Sequence, residues 1–207
     1  VEKAMVIADM PFMTYNINVE ETLRNAARFI QEAGAQAVKL EGGVTVADKV
    51  RKLVDCGIPV MGHIGLTPQS VNQLSGYKVQ GRSPETAKKL LADARALEAA
   101  GAFAIVLETM PSELSAFISS KIGIPTIGIG AGVGCDGQVQ VISDLLGLFT
   151  DFVPKHAGQY AKLVDIITDA VIAYADDVKN GNFPTGQQSF DMDASVIETL
   201  RREDETT

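Results

Sequence analysis

The sequence predicts an α/β fold of parallel βα units, and three observations carry that prediction. Apolar stretches short enough to be buried strands alternate with longer stretches of helical periodicity. A glycine closes each helix before the next strand, at Gly34, Gly57, Gly101 and Gly123. The strands end in ionisable residues: Asp9, Lys39 with Glu41, His63 and Glu108. In a (β/α)8 barrel the active site is built at the carboxy ends of the strands, so this is where chemistry is expected. Roughly six strands can be counted, two short of closure. The expected architecture is a (β/α)8 TIM-type barrel with its first strands absent from this chain, or else an open sheet.

Each element has its own signal. Ala4–Ala8 is an apolar strand ending in Asp9. Asn18 then caps a helix, with Glu21 three residues on and Val19, Leu23, Ala26, Ala27 and Ile30 on one face. A strand from Ala35 leads to Lys39 and Glu41, and a helix near Thr45 aligns Val46, Val50, Leu53 and Val54. The strand from Pro59 to His63 follows. Ser83 and Pro84 supply the N-cap and first-turn proline of a helix carrying Ala87, Leu90, Leu91, Ala94 and Leu97. Phe103–Leu107 is an apolar strand ending at Glu108, followed by a helix over 112–120 and a strand from Ile124 to Gly130. Beyond Asp136 the pattern predicts a helix over 144–149, a last strand at Phe152–Val153 and a long amphipathic helix over 158–179. The charged end, RREDETT, is expected to fray. Residues 1–155 should form the barrel portion, with 156–207 a helix and tail packed on the same domain.

Composition narrows the function. The 207 residues suit one domain with a sizeable core, and the net charge of −8 argues against a nucleic-acid footprint. No uncharged apolar run approaches the roughly 18 residues of a membrane span. The two cysteines, Cys56 and Cys135, lie outside any CxxC spacing, so neither a disulfide framework nor a zinc cage is expected, and a cytoplasmic location fits best. The chain opens on Val1 within four residues of an apolar strand and reads as an entry partway into an α/β domain.

The stretch from Pro59 to Arg82 is the centre of the chain. After the strand it continues as a polar, glycine-punctuated connection far longer than the usual ~4–6 residues, without the composition of disorder. It is read as an ordered loop over a site. Asp9 and Glu41 are hard oxygen donors suited to magnesium; the alternative is two solvated acids near helix N-termini. Lys39 and Glu41, two apart, share one side of their strand, where Lys39 could neutralise a substrate carboxylate or pair with Glu41. Glu108 is placed for general-base duty, or for a structural pair with a basic residue. His63 contacts substrate or is a satisfied core histidine. The run Gly128-Ile-Gly-Ala-Gly132 fails the GxGxxG pattern and suits a close backbone approach instead.

The segments ADMPFMTY, VKLEGG, GHIGLTPQSVNQLSGYKVQGR, VLETMP and IPTIGIGAG with DGQV together resemble the ketopantoate hydroxymethyltransferase family, over Met5 to about Phe190. The resemblance implies a (β/α)8 barrel, Mg²⁺ dependence and a homodecamer. It also implies transfer of a one-carbon unit from 5,10-methylenetetrahydrofolate to 3-methyl-2-oxobutanoate. On the matching motifs it makes Asp9 a metal and substrate ligand, Lys39 a substrate contact, Glu41 a metal-site acid and Glu108 the proton acceptor. His63 enters as a pocket residue. The family carries a further upstream segment with a GDS motif, whose Asp and Ser would supply another metal ligand and a substrate contact; no GDS occurs in this chain. Two rivals remain on the residues: another Mg²⁺-dependent 2-oxo-acid lyase on the same barrel, and a non-catalytic fragment acting in assembly.

Overall fold

A computed structural model describes residues 3–74, 76–149 and 151–205. Its contacts divide the chain into two compact units: Val1–Val141 with Pro154–Gly158, and Ile142–Val153 with Gln159–Thr207.

The first unit contains a six-stranded sheet: β1 Ile7–Asp9, β2 Ala37–Glu41, β3 Val60–Gly65, β4 Ala104–Glu108, β5 Thr126–Ile129 and β6 Gly137–Gln138. All five pairings are parallel, and the spatial order is the chain order. A doubly wound sheet reverses its strand order at a switch point. This one never reverses, which is the winding of consecutive units of a (β/α)8 barrel.

Four helices return the chain between strands: α1 Val19–Gln31, α2 Ala47–Asp55, α3 Pro84–Ala99 and α4 Ser112–Ser119. Their starts are written in the sequence. Asn18 accepts the Glu21 N–H, and Ser83 and Thr86 form a reciprocal capping box ahead of Pro84. The register sorts the strand residues into two faces. Val38, Leu40, Val60, Ile64, Ile105 and Leu107 share the face that packs with Val50, Leu53, Ala94 and Leu97 of the helices. These buried aliphatics make the hydrophobic core. The opposite face carries Asp9, Lys39, Glu41, His63 and Glu108.

The second unit holds α5 Ile142–Leu145, α6 Leu163–Lys179 and α7 Ala194–Asp204. The Leu163 and Tyr160 N–H groups bond the Leu146 and Leu145 carbonyls at 3.0 and 2.8 Å, tying α5 to the start of α6. Tyr174 meets the Phe183 ring edge-on at 5.4 Å.

Several boundaries differ from expectation. The last strand is Gly137–Gln138, paired to Ile127 and Gly128, and not Phe152–Val153. Phe152 and Val153 are both exposed and belong to no ladder: their apolar character suggested a strand that no partner pairs. The first strand begins at Ile7, because Ala4–Val6 are exposed. The short helix spans Ile142–Leu145, not 144–149, and the long one starts at Leu163 rather than Gly158. The charged end is helical to Asp204, its N-cap the Asp193 carboxylate on the Ser195 N–H; Thr206 and Thr207 lie outside the described residues.

Candidate active site

The ionisable side chains at the strand ends form one connected strip. Register sets it out: Asp9 is opposite Lys39, Glu41 opposite His63, and Gly65 opposite Glu108, so all project from the same face. Lys39 Nζ lies 2.8 Å from Asp9 Oδ1 and 3.2 Å from His63 Nδ1. His63 Nε2 lies 3.1 Å from Glu108 Oε2, and its Nδ1 is 3.7 Å from Glu41 Oε1. Four adjacent strands thus contribute to a chain Asp9–Lys39–His63–Glu108, with Glu41 beside its middle.

His63 is only 3% exposed, yet Nε2 has no partner in hydrogen-bonding alignment; the Glu108 oxygen is near but off-axis. It is not a fully satisfied core histidine. Lys39 has donors only, so Nδ1 must accept and the ring proton belongs on Nε2, facing Glu108. The ion pair of Lys39 is with Asp9. Among the described residues, no lysine or arginine pairs with Glu108.

Among the described residues Glu41 is the most enclosed acid, 6% exposed. Burial pushes its carboxyl above the usual range; Asp9 adds to this, while His63, the Gln69 N–H and Lys39 oppose it. Tyr15, 1% exposed, stands beside it with its phenol pushed up to about 12, by burial first and by the Glu41 and Asp9 charges against the pull of the Glu41 N–H. Tyr15 and Gln69 were missed as site residues. The sequence signals were a tyrosine in the loop directly after the Asp9 strand and the place of Gln69 in the polar stretch read as a loop over a site.

The stretch after β3 closes over this strip. The Leu66 N–H bonds the Glu108 carbonyl at 2.8 Å, the Gln69 N–H bonds Glu41 Oε2 at 3.0 Å, and the Gln80 N–H bonds the Thr109 carbonyl at 2.9 Å. Gly65, at φ +97°, lies so close to the Glu108 carbonyl that any Cβ there would overlap it. Thr109, next to Glu108, holds φ +49° with its buried hydroxyl unpartnered, a costly conformation for a β-branched residue. A cavity of about 420 Å³ opens under the loop, lined by Glu41, Gly42, Gly65, Gln73, Gln80 and Asp93. At the far strand, a Cβ on Gly128 would crowd Cys135 and Gln138, the close approach expected of that glycine run.

Three carboxylates against one lysine leave the strip short of positive charge. Among the described residues, no three His, Cys, Asp or Glu side chains converge as a metal cage. Asp9 and Glu41 place two hard oxygen donors on this face, the chemistry that magnesium, with water and substrate oxygens, would take.

Sequence comparison decides the family. The sequence model of ketopantoate hydroxymethyltransferase matches residues 1–186. The chain belongs to the ketopantoate hydroxymethyltransferase family. It is 68% identical over 201 residues to the 3-methyl-2-oxobutanoate hydroxymethyltransferase of Dehalococcoides mccartyi (strain BAV1), covering 97% of this chain and 72% of that protein. It is 56% identical over 207 residues to the enzyme of that name from Chloroflexus aurantiacus, covering 100% and 73%. A crystal structure of phosphonopyruvate hydrolase with oxalate and Mg²⁺ aligns with a TM-score of 0.50 and 14% identity, over 98% of this chain and 70% of that one. At that identity the likeness shows the fold alone.

Proposed function

We infer that the chain performs the reaction its relatives are named for. It transfers a one-carbon unit from 5,10-methylenetetrahydrofolate, with addition of water, to C3 of 3-methyl-2-oxobutanoate, releasing tetrahydrofolate and 2-dehydropantoate. The observation that carries this reading is the Asp9–Lys39–His63–Glu108 strip. It sets one cation beside carboxylates at the strand ends, as enolisation of an anionic 2-oxo acid requires.

Lys39 holds the substrate carboxylate, exchanging part of its pairing with Asp9 for the incoming anion. Glu108 takes the C3 proton as general base. His63 Nε2 lies 3.1 Å from Glu108 Oε2, near enough to come into alignment with the carboxylate when substrate binds. The carbanion at C3 then forms the new C–C bond to the folate-borne carbon, whose two bonds to folate nitrogen are broken. Water supplies the hydroxyl of the new CH₂OH group, and the proton taken from C3 together with one from that water goes to the departing folate nitrogens. Asp9 and Glu41 would hold the magnesium ion, which when bound supplies Lewis acidity to the keto and carboxylate oxygens. The cavity beside Glu41 leaves room for the larger second reactant.

A homo-oligomer, the decamer implied by the family resemblance, and a cytoplasmic location belong to the same reading. Support for association comes from α6, which exposes Ile166, Ile167, Val171, Ile172, Tyr174 and Val178. No helix among the described residues is long and apolar enough to cross a membrane.

The test is turnover with both reactants, following 2-dehydropantoate by NMR. Product that requires both magnesium and the folate supports the reading. Consumption of the keto acid without folate would point to a lyase instead.

A further inference from the structure

Gln69 touches three separate parts of the site at once. Its backbone N–H donates to Glu41 Oε2 at 3.0 Å, its Nε2 donates to the Met10 carbonyl at 2.9 Å, and its Oε1 accepts from the Tyr15 hydroxyl at 2.8 Å. The same Tyr15 oxygen accepts the Glu41 backbone N–H at 3.3 Å. These bonds leave no freedom in the amide. The Met10 carbonyl can only accept, so the NH₂ must face it, and Oε1 is left for Tyr15. The tyrosine is buried, so water competes poorly for these bonds.

We propose that Tyr15 and Gln69 form a positioning pair, through which the stretch after β3 fixes the Glu41 carboxylate in its working orientation. Glu41 sits on β2, and its side chain could otherwise swing. Gln69 pins Oε2 from above, leaving Oε1 turned toward His63. The pinning N–H belongs to a single turn, Pro68–Ser70, whose place is set by the Gln69 side chain reaching Tyr15 and Met10. The far end of the stretch is tied beside Glu108 through Gln80 and Thr109. One connection therefore spans both acids to which chemistry is assigned, and its docking couples their placement. Neither residue touches substrate in this account; each acts through Glu41. Supporting partners of this kind typically alter metal affinity or activity by about 10–100-fold when removed.

The test uses Tyr15→Phe, which keeps the buried ring and deletes one oxygen, with Gln69→Ala as the second variant. Two readouts are compared with wild type at a temperature where far-UV circular dichroism shows each folded. The first is amide hydrogen exchange of the segment 66–74. The second, which rests on the functional reading above, is Mn²⁺ affinity by calorimetry without substrate. Both variants are expected to speed exchange in 66–74 about tenfold or more, and to weaken Mn²⁺ binding by about 10–100-fold. Unchanged protection in both variants would overturn the positioning pair, as would released protection with undiminished Mn²⁺ affinity. If the segment is released but wild type binds no metal, the pair stands and the metal assignment of the functional reading falls.

Discussion

His63 bridges Lys39 and Glu108: one ring nitrogen lies 3.2 Å from the ammonium and the other 3.1 Å from the carboxylate. A buried imidazole between a donor-only group and an acceptor has its tautomer chosen for it. The ring proton is expected on Nε2, away from the ammonium. Two-dimensional ¹⁵N–¹H correlation of the imidazole near neutral pH should show a non-protonated Nδ1 and a protonated Nε2. The reverse pattern would mean that Lys39 does not face this ring in solution.

Gly65 should tolerate no side chain. Gly65→Ala places a methyl group into the Glu108 carbonyl at a φ that disfavours L residues. We expect a loss of roughly 2–3 kcal/mol in chemical denaturation. Because the clash displaces the backbone that carries Glu108, activity should fall further than stability alone accounts for. A variant with wild-type stability would show that this approach is looser than described.

Asp136 predicts a pH dependence away from the site. Its carboxylate accepts the Thr126 N–H and hydroxyl at 2.8 and 2.9 Å, which holds its pKa below the usual carboxylate value. A depressed folded pKa means that the stabilisation is present above the unfolded value and is lost as pH falls through the folded one. Asp136→Ala should therefore cost about 1 kcal/mol near neutrality. The gap from wild type should narrow below about pH 4. Thermal denaturation of both proteins from pH 3 to 7 checks this; a gap that widens on acidification would contradict it.

Much of the sheet and its chemistry could be read from the sequence, because parallel strands leave a strong local signature. Strands β1 to β4 run apolar to a polar end, a glycine follows each of the four helices between strands, and α1 and α3 have side-chain caps at Asn18 and Ser83. Period-two alternation alone puts Lys39 and Glu41 on one side. Which strands are neighbours is not local, so the Asp9–Lys39 and His63–Glu108 contacts appear only once the register is known. Strand β6 was missed for a related reason. Gly137 and Gln138 carry no apolar pattern and are a strand only by virtue of their partner β5. Tyr15 and Gln69 escaped notice because a loop residue signals its role through what it touches 54 positions away.

Deuterium exchange at C3 of 3-methyl-2-oxobutanoate reports whether this strip of side chains enolises a 2-oxo acid. Followed by NMR in D₂O without folate, exchange should be rapid with Mg²⁺ and slow without it. Glu108→Gln should lower the rate on the order of 10²–10⁴-fold while leaving keto-acid binding largely intact. Exchange at the wild-type rate in that variant, or none in the folded wild-type protein with Mg²⁺ present, would contradict the account.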